Sequence, residues 1–481
     1  MNIGSIQRQS IIYVGSTIAF TVIGFISTIF FAHTLGPAPL GAYFLFMAYF
    51  GIFNLVADGG FGSAAVKRIS EGKESNEYFS AFVFIRIIIS AFAVSALLYL
   101  EPFFKDATAS GIFFWVLLAL VVSVFSGITG TGVYGTGKVG VYQLSGFLET
   151  SSRFVFQVVG VFLGFGIAGL TGGFIGGLIA GGIANFRYLD LKIIRFKFYH
   201  VKNLSSFSFW IFLTASGSLV FSYADTILIG FFMNDAAVGI YRTAFQLTSI
   251  ATFTTLAFHT VLYPQISNWG IHQELTKITN SLGRAFTYSL LLAIPTCIGG
   301  WILGERLLYF FYGSSFTQGT SALYFLLVAQ IVNVFMYLGT MCLTALDRPR
   351  EAFWITAVAS IANIVLNIAL IPVYGITGAA IATLLAMTMN AIGVLLLLSR
   401  IISIKFEFKS VKNILFAAIF MGILLLGINY FLPFTHVIVL LAVVFIGAII
   451  YTLVLFKLDR QIHDEIRQLC VSMGIFWPRW L

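Results

Sequence analysis

Apolar positions along the chain fall into fourteen long runs separated by short polar connections. Six lie at about 11–33, 39–58, 79–100, 111–134, 140–163 and 168–186, and six more at about 207–231, 237–262, 285–311, 320–345, 352–371 and 375–398. A final pair covers about 411–431 and 434–456. A run of roughly 20 apolar residues matches the thickness of a bilayer's hydrocarbon core. There, an unpaired strand would leave its backbone polar groups unsatisfied, so each run is predicted to be a helix. The pattern predicts an all-α integral membrane protein with about 14 transmembrane helices.

Composition sharpens this. Of 481 residues, 59% are apolar or aromatic and 9% are charged, against roughly 25% charged in soluble domains. That excludes an ordinary soluble enzyme and a disordered chain. Cys297, Cys342 and Cys470 share no spacing that would make a disulfide framework or a metal site. The net charge of +9 would suit nucleic acid if it formed one patch. Instead the basic residues alternate from one connection to the next. If the N-terminus is cytosolic and every run crosses, the inside connections hold Arg8, the Lys67–Lys73 group, Lys138, the Arg187–Lys202 group, Lys277 and Arg284. They also hold Arg348 and Arg350, the Arg400–Lys412 group, and the tail from Lys457. The outside connections hold only Lys105 and, at a span end, Arg306. This positive-inside pattern predicts an even number of crossings and both termini in the cytosol. The first run lacks a cleavage site and reads as a retained helix.

The second half repeats the first. Leu35-Gly36-Pro37-Ala38-Pro39-Leu40-Gly41-Ala42-Tyr43 joins runs one and two, and Met233-Asn234-Asp235-Ala236-Ala237-Val238-Gly239-Ile240-Tyr241 joins runs seven and eight. Phe165-Gly166-Ile167-Ala168-Gly169 opens run six as Tyr374-Gly375-Ile376-Thr377-Gly378 opens run twelve, and Tyr134–Lys138 sits where Thr344–Arg348 sits. Because six is even, the copies share one orientation, as parallel repeats in transporters do. The predicted organisation is an N-lobe (1–190, spans one to six), a cytosolic linker (191–206) and a C-lobe (207–400, spans seven to twelve). Two added spans (401–456) and a cytosolic, amphipathic tail (457–481) follow.

These loops, with the run Ala224-Asp225-Thr226-Ile227-Leu228-Ile229-Gly230, resemble the polysaccharide-transporter branch of the multidrug/oligosaccharidyl-lipid/polysaccharide flippase superfamily, O-antigen flippases included. Ala65-Val66-Lys67-Arg68-Ile69-Ser70-Glu71-Gly72 resembles archaeal members. The resemblance spans the whole chain. It implies a flippase that moves a polyprenyl-(pyro)phosphate-linked oligosaccharide across the cytoplasmic membrane by alternating access. Related lipid II flippases place arginines in early spans, whereas span one here has none, so its cavity is charged in another pattern.

Charges inside a bilayer are costly and generally face a cavity or a partner. Arg86 lies in span three, and Glu149 and Arg153 lie one turn apart in span five. Asp225 in span seven and Arg242 in span eight each fall roughly 8 Å from the outer end at 1.5 Å per residue. Arg86, Arg153 and Arg242 are the candidates for holding phosphate, since guanidinium stays charged and binds such oxygens in pairs. Glu149 and Asp225 are candidates for ion coupling or for internal ion pairs with Arg153 and Arg242. Asp58, ending span two, is expected to be solvated. Asn363 and Asn367 share a face of span eleven and are candidates for sugar contact or hydrogen bonding between helices. Gly169, Gly173, Gly177 and Gly181 recur every fourth residue and predict close helix packing.

No cofactor, metal or nucleic acid is expected. Gly132–Lys138 fits the start of a phosphate-binding loop, but Val139 stands where Ser or Thr is required and a membrane span precedes it, so ATP is not expected either. Coupling to a proton or sodium gradient, or to membrane potential, stays open, and a monomer suffices for a two-lobed transporter. The rivals are a multidrug/organic-cation exporter of the same fold and a membrane glycan polymerase. The first needs acidic cavity residues; the second needs an outside loop that the chain lacks.

Overall fold

A computed structural model describes residues 21–103, 111–431 and 434–472. Among these residues the regular structure is all helical. The first helices are α1 (Thr21–Leu35), α2 (Pro37–Asp58), the short α3 (Phe61–Ser70) and α4 (Ser75–Leu100). They are followed by α5 (Ile112–Gly135), α6 (Val139–Phe162), α7 (Gly166–Arg187), α8 (Phe198–Phe232) and α9 (Asp235–Thr248). The remainder comprises α10 (Phe253–Ile271), α11 (Leu275–Tyr312), α12 (Thr320–Ala345), α13 (Pro349–Leu398), α14 (Phe408–Phe431), α15 (Val437–Leu458) and α16 (Arg460–Ser472). Among the described residues nine helices are long and apolar enough to cross a membrane. One of them, α13, is broken at Gly375 and supplies two crossings. With α1, the Leu219–Phe232 part of α8, the charge-bearing α6, and α9 followed by α10, every predicted run is helical among the described residues. Residues 11–20 and Trp477 and Trp480 of the tail lie outside the described residues.

The repeat is visible in backbone geometry. Gly166 and Gly375 both turn the chain with positive φ, at 53° and 57°. Three residues on, Gly169 and Gly378 let the returning helix touch its partner: a Cβ would stand 2.7 Å from the Gly160 carbonyl carbon in one and 2.3 Å from the Leu370 oxygen in the other. The connections between α5 and α6 and between α12 and α13 also match. Lys138 donates its amide to the Val133 oxygen at 3.3 Å and Arg348 its own to Leu343 at 3.0 Å, over a left-handed Gly137 (φ 78°) or Asp347 (φ 59°).

The chain divides into two compact units, Met1–Gly239 and Ile240–Leu481, so α8 packs with the first. In that unit α8 lies against α2, α3 and α4. The extended segment before it is tied down at its start. The Lys192 amide donates to Asn76 Oδ1 at 2.9 Å, the Ile194 amide to Ser80 Oγ at 2.8 Å, and Lys138 pairs with Asp190. In the second unit α11 is the central helix, with Phe286, Leu290 and Leu282 buried among Leu338, Cys342, Ile414 and Ala418. Cys297 and Cys342 are buried and free. Large side chains such as Phe92, Tyr99 and Phe162 stay uncovered by protein, as a lipid-facing surface requires.

Candidate functional site

Two sets of charged residues stand inside the spans α2 to α6 of the first unit. The first gathers at the end of α2, where the helix stops on left-handed Gly59 and Gly60 (φ 57° and 77°) before α3 begins. Arg86, 3% exposed, donates from Nη1 to Asp58 Oδ1 at 2.8 Å and from Nη2 to Asn54 Oδ1 at 2.9 Å. Ser123 of α5 also donates to Asn54 Oδ1, at 3.0 Å. Asp58 is therefore not simply solvated, as its place at a span end suggests. It neutralises Arg86, and without it a charge would be stranded inside the protein. Arg86 stands about 16 Å along α4 at 1.5 Å per residue, so the break between α2 and α3 lies well inside the layer that α4 crosses. Irregular backbone at that depth requires protein cover or a water-lined cavity.

The second set runs along α6 and owes its position to α7. A Cβ on Gly173 would meet Gln157 at 2.5 Å, one on Gly177 would meet Arg153 Cβ at 2.7 Å, and one on Gly181 would meet Glu149 Oε2 at 2.8 Å. The glycine face predicted from its four-residue spacing thus receives Gly160, Gln157, Arg153 and Glu149 of α6, three or four apart. Glu149 and Arg153 share that face, but they do not close to ion-pair distance. The Arg153 guanidinium lies 5.8 Å from the Phe174 ring centre, within cation–π range, and among the described residues no carboxylate pairs with it. Gln157, also buried, donates to Tyr43 Oη and to the Leu170 oxygen, both at 2.9 Å. The donors of Arg86 go to α2, not to this row.

Asp225 is buried in α8 of the first unit. Arg242 lies in α9 of the second, its guanidinium 5.4 Å from the Phe245 ring centre. Asn363 and Asn367 are brought together and are almost wholly covered: Asn367 Nδ2 donates to the Asn363 backbone oxygen at 2.9 Å and to its Oδ1 at 3.1 Å. Asn363 Nδ2 has no hydrogen-bond partner. Neighbouring polar groups in this unit include Asn390, reaching Thr356 Oγ1 at 3.5 Å, and Gln330, donating to Thr248 Oγ1 at 3.1 Å.

The sequence reading passed over Asn54, Ser123, Gln157 and Tyr43. Asn54 stands four residues before Asp58 and so shares its face, a signal available without the structure. Ser123 and Tyr43 are ordinary residues in their helices, and only packing singles them out. In the second unit, a cavity of about 360 Å³ is lined by Glu407, Ser410, Asp459 and Gln461 among others. Burial pushes the Asp459 carboxyl up. Hydrogen bonds from Ser410 and Asn413 and from the backbone amides of Ile462 and Gln461 outweigh it and hold the group below the ordinary carboxylate range. Asp459 thereby caps α16. Burial pushes Glu407 the other way, upward, against the pull of Arg284.

Residues 30–321 match the model of a family described as polysaccharide biosynthesis protein. A probable flippase of Haloferax volcanii, AglR, is 27% identical over 469 residues, covering 96% of this chain and 98% of the relative. A probable low-salt glycan biosynthesis flippase of the same organism, Agl15, is 26% identical over 437 residues, covering 89% and 91%. Among solved structures, an inward closed lipid II flippase MurJ superposes with a TM-score of 0.79 at 19% identity, covering 94% of this chain and 99% of that one.

Proposed function

Since the chain belongs to the polysaccharide biosynthesis protein family, we propose that it is a flippase for lipid-linked oligosaccharide, a transporter and not an enzyme. Two relatives matched along nearly their whole length carry flippase names, and the transporter fold is shared with a solved flippase. The protein is a multi-pass membrane protein; both termini face the cytosol in this proposal, following the alternation of basic residues. The cargo is a polyprenyl-(pyro)phosphate carrying an oligosaccharide for surface polysaccharide or glycoprotein assembly. The cargo crosses by alternating access without ATP, driven by an ion gradient or the membrane potential.

The observation that carries the proposal is Arg153. A cation inside a membrane protein is generally matched by a carboxylate, yet Glu149, four residues away on the same face, acts on it electrostatically without closing to a salt bridge. A guanidinium left open in this way suits a phosphate arriving with the cargo. An organic-cation exporter would be hindered by that charge. Arg86 is already engaged by Asp58 and Asn54, Arg242 remains a candidate in the second unit, and Asn367 donates to Asn363 along one turn of α13 itself. The test is transport in a deletion strain complemented with Arg153 variants. Arg153→Ala is expected to leave complete lipid-linked glycans on the cytosolic leaflet, and Arg153→Lys to restore transport only in part. Full transport by a well-expressed Arg153→Ala protein would remove Arg153 from the site.

A further inference from the structure

Asp58 carries more than a structural charge. One carboxylate oxygen accepts from Arg86 Nη1 at 2.8 Å and the other from the Gly62 amide at 3.3 Å, so the group bridges α4 to the start of α3. The break it sits on is fixed in place: a Cβ on Gly60 would stand 2.5 Å from the Ser208 oxygen and 2.9 Å from the Phe212 nitrogen of α8. Arg86 is not fully used. Its Nε has no hydrogen-bond partner although the side chain is buried. Gly127 of α5 leaves room beside it, since a Cβ there would lie 3.5 Å from Nη2 and 3.8 Å from Nε, ordinary contact. An ionised donor left unmet in such a place is expensive. Asp58 itself keeps 30% of its side chain uncovered by protein. The groups facing it are Arg86 from α4, Asn54 from its own helix and the Gly62 amide from α3. α8 lies against the neighbouring Gly60 through the backbone at Ser208 and Phe212, and its Tyr223 ring lies against Gly51 farther along α2. Among the described residues Arg86 is the cation paired with Asp58.

We propose that the Asp58–Arg86 pair is an exchange site at which an anionic phosphate oxygen takes over Arg86 while Asp58 leaves it by accepting one proton. Before the exchange the site holds a guanidinium and a carboxylate; afterwards it holds a guanidinium, a phosphate oxygen and a neutral carboxylic acid. The carboxylate gains one proton from water, no other bond changes, and the local charge is balanced in both states. Phosphate binding and proton uptake are thus one event, and the proton travels with the anion. The proposal rests on the flippase reading for the source of the phosphate.

The test is calorimetric titration of the purified full chain with farnesyl pyrophosphate at pH 7, in two buffers of different ionisation enthalpy, which counts protons taken up per ligand. Wild type is expected to take up close to one proton more than Asp58→Asn. That variant, lacking the competing carboxylate, is expected to bind about tenfold more tightly. Should Asp58→Asn not fold with Arg86 stranded, Asp58→Asn combined with Arg86→Gln removes both charges and is expected to lose the extra proton together with most of the affinity. Normal binding with wild-type proton uptake in either variant overturns the exchange and leaves the flippase reading standing. No binding of farnesyl pyrophosphate to wild type overturns both. Inorganic pyrophosphate, run alongside, separates the two sources of the anion: an equal response supports exchange with a free anion, and a response to the lipid alone supports the headgroup.

Discussion

Adding a single methyl group to Gly173 should do more damage than adding one to its neighbour Gly172. At Gly173 the new Cβ would stand 2.5 Å from Gln157 Cγ, 2.6 Å from its backbone nitrogen and 2.9 Å from its Cα. Ordinary carbon contacts need about 3.5–4.0 Å, so α6 must retreat by roughly 1 Å, and backbone cannot swing aside as a side-chain tip can. Overpacking of this kind costs about 1–3 kcal/mol. At Gly172 the nearest atoms belong to the Trp115 ring edge, at 3.6 Å and 3.7 Å, and alanine there gains about 0.5–1 kcal/mol of helix propensity. Because Arg153 and Glu149 ride on the displaced helix, Gly173→Ala should also lower transport, whereas Gly172→Ala should preserve it. The assay pairs thermal unfolding of the two purified variants in one detergent with complementation of a deletion strain. Equal midpoints, or a lower midpoint for Gly172→Ala, would refute the account of how α7 seats α6.

Asn367→Ala should destabilise the second unit by about 1–3 kcal/mol, since it strips the donor from buried Asn363 Oδ1. Asn363→Ala should cost less, because Asn367 keeps the backbone oxygen at residue 363; comparing the two melting midpoints decides this. Ser80→Ala removes the acceptor of the Ile194 amide, and should speed tryptic cleavage at Lys192 and Arg195 in inside-out vesicles, with none in sealed right-side-out ones. For Asp459, held below the ordinary carboxylate range, the capping contribution is complete above pH about 4 and is lost as pH falls through its folded value. Asp459→Ala should therefore cost about 1 kcal/mol near neutrality and less in strong acid. Glu407, raised by burial, has the opposite sign: its contribution is complete below the ordinary carboxylate range and fades as pH rises through its folded value. Glu407→Gln should flatten that part of the profile.

Much of the architecture was legible along the chain because it is local. Apolar length and alternating basic connections locate the helices, and the Gly166 and Gly375 openings give away both the repeat and its turns. The four-residue glycine spacing announces a contact face. It cannot say which helix fills that face, because Gln157, Arg153 and Glu149 meet it only after the chain turns at Gly166. The break at Gly59-Gly60 is written in the sequence, yet an adjacent glycine pair also fits a loop, so α3 was not foreseen. The sequence places Asp58 correctly at the end of span two but hides its partner for a related reason: Arg86 lies 28 positions away, and no periodicity links residues across two helices. The placement of α8 with the first unit likewise depends on packing against α2, α3 and α4, which composition does not encode.

A helix whose contact face is made of hydrogen atoms has nowhere to store variation. At uncovered positions of α7 such as Ile179, Ile183 and Phe186 a substitution trades one outward side chain for another. At positions 169, 173, 177 and 181 every alternative is larger, and each meets backbone or a side-chain stem. The charged part of the opposing row is freer, since Glu149 and Arg153 rest on the glycines, whereas Gln157 is held by Tyr43 and the Leu170 oxygen. The chemistry displayed by α6 can therefore be exchanged while the surface that carries it stays fixed. A protein with this hairpin has a ready way to meet a new glycan carrier: keep α7 and rewrite one face of α6.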